Sequence, residues 1–175
     1  MRNEDCIGKR VFRLIEKTYT LEPEENKPLY TIKGIVKYGE TLPNGETHKE
    51  WYNLLFIEDE QGNTLEIPQY QAVVAPDQSL DVDYRLHKYL NDNGLYADVY
   101  ADNSFHGTVT VSIEWGDWKH EHGWCRDLMG YLGYEEVSCE VTDNNESDCY
   151  SADHKFLPQG PFLEAVKAFR KVSNQ

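Results

Sequence analysis

Basic residues are scarce in this chain: 17 lysines and arginines face 31 aspartates and glutamates, a formal net charge of -14 over 175 residues. A surface with that balance repels phosphate backbones and attracts cations, so direct nucleic-acid binding is not expected and a basic protein partner is. Long apolar runs are missing too. No stretch reaches the roughly 20 residues that a membrane-spanning helix needs, and Met1 to Cys6 has neither the apolar centre nor the small-residue cleavage site of a secretory signal. A cytoplasmic protein with no membrane partner is the expectation. Cys6, Cys125, Cys139 and Cys149 form no C-x-x-C pair and no dense framework, which argues for reduced thiols rather than staples. The motifs G-x-S-x-G, G-x-G-x-x-G, H-E-x-x-H and the P-loop are absent as well, so the common nucleophile, nucleotide and zinc-protease signatures fall away.

What is present suffices for folding. A content of 39% hydrophobic and 13% aromatic residues supplies the apolar surface that disordered chains lack. The length suits one ordinary domain or two small lobes. Val11 to Tyr19, Leu29 to Tyr38, Trp51 to Glu58 and Thr64 to Ile67 are rich in β-branched or aromatic residues. They are broken by the loop Glu22 to Pro28, by Leu42-Pro43-Asn44-Gly45 and by Glu60 to Asn63, the spacing of a β-meander. Ala75 to Ser79 reads as a joint, because Pro76 disfavours helix before it and Ser79 can cap one after it. Val82, Leu86, Tyr89 and Asn93 then fall on one helical stripe, and Asn93-Gly94 stops it, giving a helix over residues 80 to 93.

Tyr96 to Ala101 and Thr108 to Trp115 are the next expected strands, the second alternating Val109, Val111, Ile113 and Trp115 with polar residues. The spacing turns helical at Trp124, Cys125, Leu128, Met129 and Leu132, and Gly133 ends that helix. Two further strands, Tyr134 to Thr142 and Cys149 to Leu157, flank a polar loop, and Gly160-Pro161 opens a last helix with Phe162, Ala165, Val166 and Phe169 on one face. The fold class is therefore α+β. Residues 1–78 form a β-rich meander or open barrel, and residues 79–175 a mixed ββαββα sheet packed by helices, with one shared core or two.

The densest chemistry lies between Trp115 and Cys125. His120, His122 and Cys125 form H-x-H-x-x-C, residue types that zinc accepts, although the spacing matches no familiar zinc motif and Cys125 already belongs to an apolar stripe. Cys149 or His154 would have to complete the shell from a distant strand. Asp117 is suited to capping the following helix, and Glu114, Asp117, Glu121 and His120 could also be assembled into an acid–base set, as acids can in any chain this rich in them. Trp115 and Trp124 are read as core, and Trp118 as the exposed aromatic.

The acidic excess itself is uneven. Residues 1–78 carry 14 acids against 9 bases, residues 79–160 carry 16 against 5, and residues 161–175 carry 1 against 3. Carboxylates held on a rigid scaffold can imitate a phosphate backbone and occupy the basic groove of a nucleic-acid-handling enzyme. The expected function is therefore a non-enzymatic, acidic protein-binding module, with Asp117, Trp118, Glu121, Asp127, Glu135, Glu136, Asp143, Glu146 and Asp148 as partner-binding residues. An anti-defence inhibitor of a phage or mobile element, of the anti-CRISPR or anti-restriction kind, fits that physics. Two alternatives stand beside it: a metal-dependent enzyme or zinc-stabilised domain using His120, His122 and Cys125, and a carbohydrate or peptide binder using exposed aromatics.

Overall fold

The computed structural model describes residues 6–101, 107–144 and 148–159. The protein is mixed α+β, and the chain divides into two compact units, Met1–Ala75 and Pro76–Gln175. No helix among the described residues is long and apolar enough to cross a membrane.

The first unit is one curled antiparallel sheet. Its strands are β1 (Arg10–Glu16), β2 (Leu21–Pro23), β3 (Leu29–Val36), β4 (Leu54–Glu58), β5 (Thr64–Pro68) and β6 (Ala72–Val74), in the order β2-β1-β3-β4-β5 with β6 also paired to β1. The strands close on a core that includes Val11, Ile32, Leu55, Ile57, Ile67 and Val74. The short β2 occupies part of the interval expected as loop, since Leu14 to Glu16 of β1 find partners in Pro23 to Leu21. The turn at Pro43-Asn44-Gly45 forms as its residue types require: Gly45 sits at φ +88°, where a Cβ would be strained.

In the second unit, α1 (Val82–Asp92) buries Val82, Leu86, Tyr89 and Leu90, and Asn93 is buried beside them. Asp81, not Ser79, precedes its first turn; the Ser79 hydroxyl instead donates to Asp77 at 2.6 Å. The strands β7 (Asp98–Ala101), β8 (Val109–Asp117), β9 (Tyr134–Asn144) and β10 (Cys149–Pro158) form a second sheet in the order β7-β8-β10-β9. Where a mixed sheet was expected, every described pair is antiparallel. Helix α2 (Glu121–Tyr131) enters between β8 and β9, and both helices cover one face: Tyr89 Oη donates to the Leu128 carbonyl at 2.6 Å, and Trp124 Nε1 to that of Asn93 at 2.9 Å. The core between helices and sheet holds Val109, Val111, Ile113, Cys125, Leu128, Met129 and Phe156. The expected last helix, from Pro161 onward, lies outside the described residues.

Candidate functional site

The sheet of the second unit has an inner face against the helices and an outer face to solvent, and pairing fixes which residues share each. On the inner side, the alternation of Ala152, His154 and Phe156 along β10 buries all three. His154 is thus a polar residue in an apolar row, and it is satisfied by a relay. Its Nε2 lies 2.7 Å from His122 Nδ1, His122 Nε2 lies 2.9 Å from the Tyr150 carbonyl, and His154 Nδ1 lies 2.8 Å from Glu136 Oε2.

The hydrogens of this relay can be counted. The Tyr150 carbonyl only accepts, so His122 Nε2 donates to it, and the His122 Nδ1–His154 Nε2 contact takes one hydrogen from either ring. Three contacts need three hydrogens, and two neutral imidazoles bring two. Burial holds His154 below the usual histidine range, the Glu136 carboxylate drawing it back only in part. Two neutral rings therefore leave one contact of the relay without a hydrogen. Arg126 Nε donates to Glu136 Oε2 at 3.0 Å, and its guanidinium carbon lies 4.7 Å from the centre of the Trp118 ring.

Trp118 is accordingly not the exposed aromatic. Its ring is half-buried against His122, Tyr150 and His154, while Trp115, expected in the core, is 49% exposed. The cause is local: Trp115 adopts φ +51° where the β8–β10 register slips between Tyr150 and Ala152, so the alternation that buries Val109, Val111 and Ile113 breaks before it reaches the ring. Gly116 follows because nothing larger fits; a Cβ there would meet Ile113 Cγ2 at 2.9 Å and Glu121 Cβ at 3.0 Å. Exposed aromatics occur in both units: Tyr84, Tyr96 and Tyr100 in the second, and in the first Trp51, 81% exposed, which stacks on Tyr70 with ring centres 5.7 Å apart.

The segment H-x-H-x-x-C does not converge. His120 is exposed, His122 has both ring nitrogens engaged, and Cys125 is buried, its thiol pushed up to about 12 by burial and then by Glu136. Among the described residues, the ligand atoms that do converge belong to Glu136, Cys139 and His154, all within 4.8 Å of one another. Spacing along the chain could not reveal this trio, because β10 register joins it. The available signal was His154, a histidine on the period-two apolar face.

The residues expected to bind a partner fall into three groups. Asp117, Glu121 and Glu136 work internally: Asp117 Oδ1 accepts from the Lys119 and His120 amides, Glu121 Oε2 accepts from the Asp117 amide, and Glu136 belongs to the relay. Asp127 is exposed on α2 and, with His120 and Glu121, borders an open groove of about 580 Å³. Glu135 and Asp143 are exposed on β9 and Asp148 just before β10, and Glu146 lies outside the described residues. Glu135 pairs with Leu157 and Asp143 with Ser151, whereas Glu136 pairs with buried Phe156. The outer face gathers further acids. Asp98 pairs with Ser112, Ser112 with Asp153, and Asp153 with Glu140, one row across four strands. Glu114, next to inward Ile113, joins them, and Lys155 is the basic residue of that face. No protein-family model, curated protein or solved structure matches this chain.

Proposed function

We propose that the second unit is a protein-binding module whose outer sheet face engages a basic partner. The observation that carries this reading is the row Asp98-Ser112-Asp153-Glu140, in which Asp153 stands directly across from Glu140. Carboxylates placed anywhere on a surface serve solubility equally well. Like charges directly opposed on neighbouring strands cost stability, so solubility alone gives no reason to align them. Neighbouring strands run about 4.8 Å apart, which sets acids of the row at one- and two-strand intervals, a rigid comb that flexible lysines and arginines can follow.

The finer form of the proposal is competition with nucleic acid. A basic groove built for a phosphate backbone reads a fixed line of negative charge, and this face offers one without a sugar or base. An inhibitor of a nucleic-acid-binding enzyme, of the anti-CRISPR or anti-restriction kind, is the biological setting that such mimicry suits.

The test uses a polyarginine peptide as probe. Combining Asp98→Asn, Glu140→Gln and Asp153→Asn should weaken binding at low salt by tenfold or more and raise the unfolding midpoint. The control combines Asp81→Asn, Asp83→Asn and Asp127→Asn, which changes the net charge equally away from that face. Equal loss in both variants would reduce the interaction to net charge and remove the role of the sheet.

A further inference from the structure

The geometry points to a zinc-binding site on the inner face of the β9–β10 hairpin, formed by His154 Nδ1, the Glu136 carboxylate and Cys139 Sγ. It is independent of the acidic outer face, and it differs from the H-x-H-x-x-C segment in every residue.

Three observations converge on it. The first is the strand irregularity. Residues three apart on a regular strand point to opposite faces, so Glu136 and Cys139 should not share one. The β9–β10 register slips between Lys155 and Phe156, pairing Lys155 with Ser138 and Phe156 with Glu136 and leaving Val137 as the extra residue. That bulge turns both side chains to the inner side, and bulges of this kind re-aim side chains at sites. Cys139 then pairs directly with His154.

The second is the orientation of the ring. His154 Nε2 lies 2.7 Å from His122 Nδ1, and His122 is itself anchored on the Tyr150 carbonyl. A metal-bound histidine is typically oriented this way, its far nitrogen held by a fixed hydrogen-bond partner. The near nitrogen, Nδ1, is left facing Glu136 Oε2 at 2.8 Å. The third is the donor set. One imidazole, one carboxylate and one thiol suit zinc better than the hard cations magnesium and calcium, which take oxygen. Zinc–ligand bonds run about 2.0–2.3 Å, so ligand atoms within 4.8 Å of one another close on an ion with rotation of the Cys139 side chain. Binding converts the Cys139 thiol to a thiolate and releases its proton, and three protein ligands leave a fourth position to water.

Arg126 is the competitor. Its Nε holds the same Glu136 oxygen at 3.0 Å, so a cation already stands beside the site, and an ion must share that carboxylate with it.

The experiment is titration of the metal-free, full-length chain with zinc against a chromophoric chelator, with cobalt(II) as a spectroscopic substitute. One ion per chain is expected, with a thiolate-to-cobalt charge-transfer band in the near ultraviolet. Cys139→Ser should abolish that band and weaken zinc binding at least tenfold, and Glu136→Gln should weaken it comparably. Cys149→Ser should change neither, and Arg126→Met should tighten binding several-fold. Circular dichroism on Cys139→Ser, a replacement at a half-exposed position, separates a lost ligand from a lost fold. Absence of stoichiometric zinc binding would overturn the site, as would a cobalt band that survives in a folded Cys139→Ser protein.

Discussion

Single side chains of the second unit divide between those whose role follows from their neighbours in sequence and those whose role comes from across the sheet. Asp117 is of the first kind: it collects the amides of Lys119 and His120 two and three residues on, a local habit of aspartate. It closes the turn ahead of α2, while His120, not Asp117, stands at the N-cap of that helix. His154 and Glu136 are of the second kind. Their 2.8 Å contact joins residues 18 apart through strand register, which no local spacing encodes. Cys125 shows both. The helical stripe marks it as core, and burial beside Glu136 pushes its thiol up to about 12, far above any working pH, so the reactive thiolate is withheld. Iodoacetamide at pH 8 should therefore leave Cys125 unmodified in the folded protein and alkylate it once denaturant is added. Peptide mass spectrometry of the two samples checks this, and full modification of Cys125 under native conditions would contradict its burial.

Elements were legible where their periodicity is regular. The alternation of Val109, Val111 and Ile113 and the stripe of Val82, Leu86 and Tyr89 each place a buried face correctly, because one geometry repeats along the whole segment. Legibility fails where geometry changes within an element. Trp115 leaves the core through one positive φ, and β9 carries Glu136 and Cys139 inward through one extra residue. Short strands such as β2 are set by their partner rather than by their own three residues. Helix ends are more local. Gly94 follows α1 at φ +85°, and its amide donates to the Asn91 carbonyl at 3.0 Å, the left-handed stop that the Asn-Gly pair suggests. Replacing Gly94 with alanine should cost about 1 kcal/mol, since a Cβ in that conformation is strained by roughly 1–2 kcal/mol. Urea unfolding measures it as a lower midpoint at unchanged slope.

At the scale of the whole chain, a net charge of -14 acts on stability as well as on partners. Ion pairs such as Lys88–Asp92 and Arg10–Glu60 are exposed and contribute little, so repulsion among unpaired acids dominates the electrostatic balance. Added sodium chloride shortens the screening length to about 10 Å at 0.1 M. The unfolding temperature should therefore rise with salt, while affinity for a polycation falls over the same range. Scanning calorimetry read beside the binding titration tests the pair of trends, and an unfolding temperature that drops with salt would mean that attractive pairs prevail. The α+β class was legible at this scale because it follows from counting segments. The strand order β7-β8-β10-β9 was not, because it depends on which edges meet after the segments have formed.

The hairpin of β9 and β10 carries acids outward and the Glu136, Cys139 and His154 trio inward on the same two strands. With a repeat of two, gaining or losing one residue inside either strand would exchange the sides from that point on. Carboxylates would be driven into the interior and apolar side chains out of it. Related chains should therefore diverge along this hairpin by swapping one amino acid for another while keeping its length, with insertions and deletions confined to the connection between its strands.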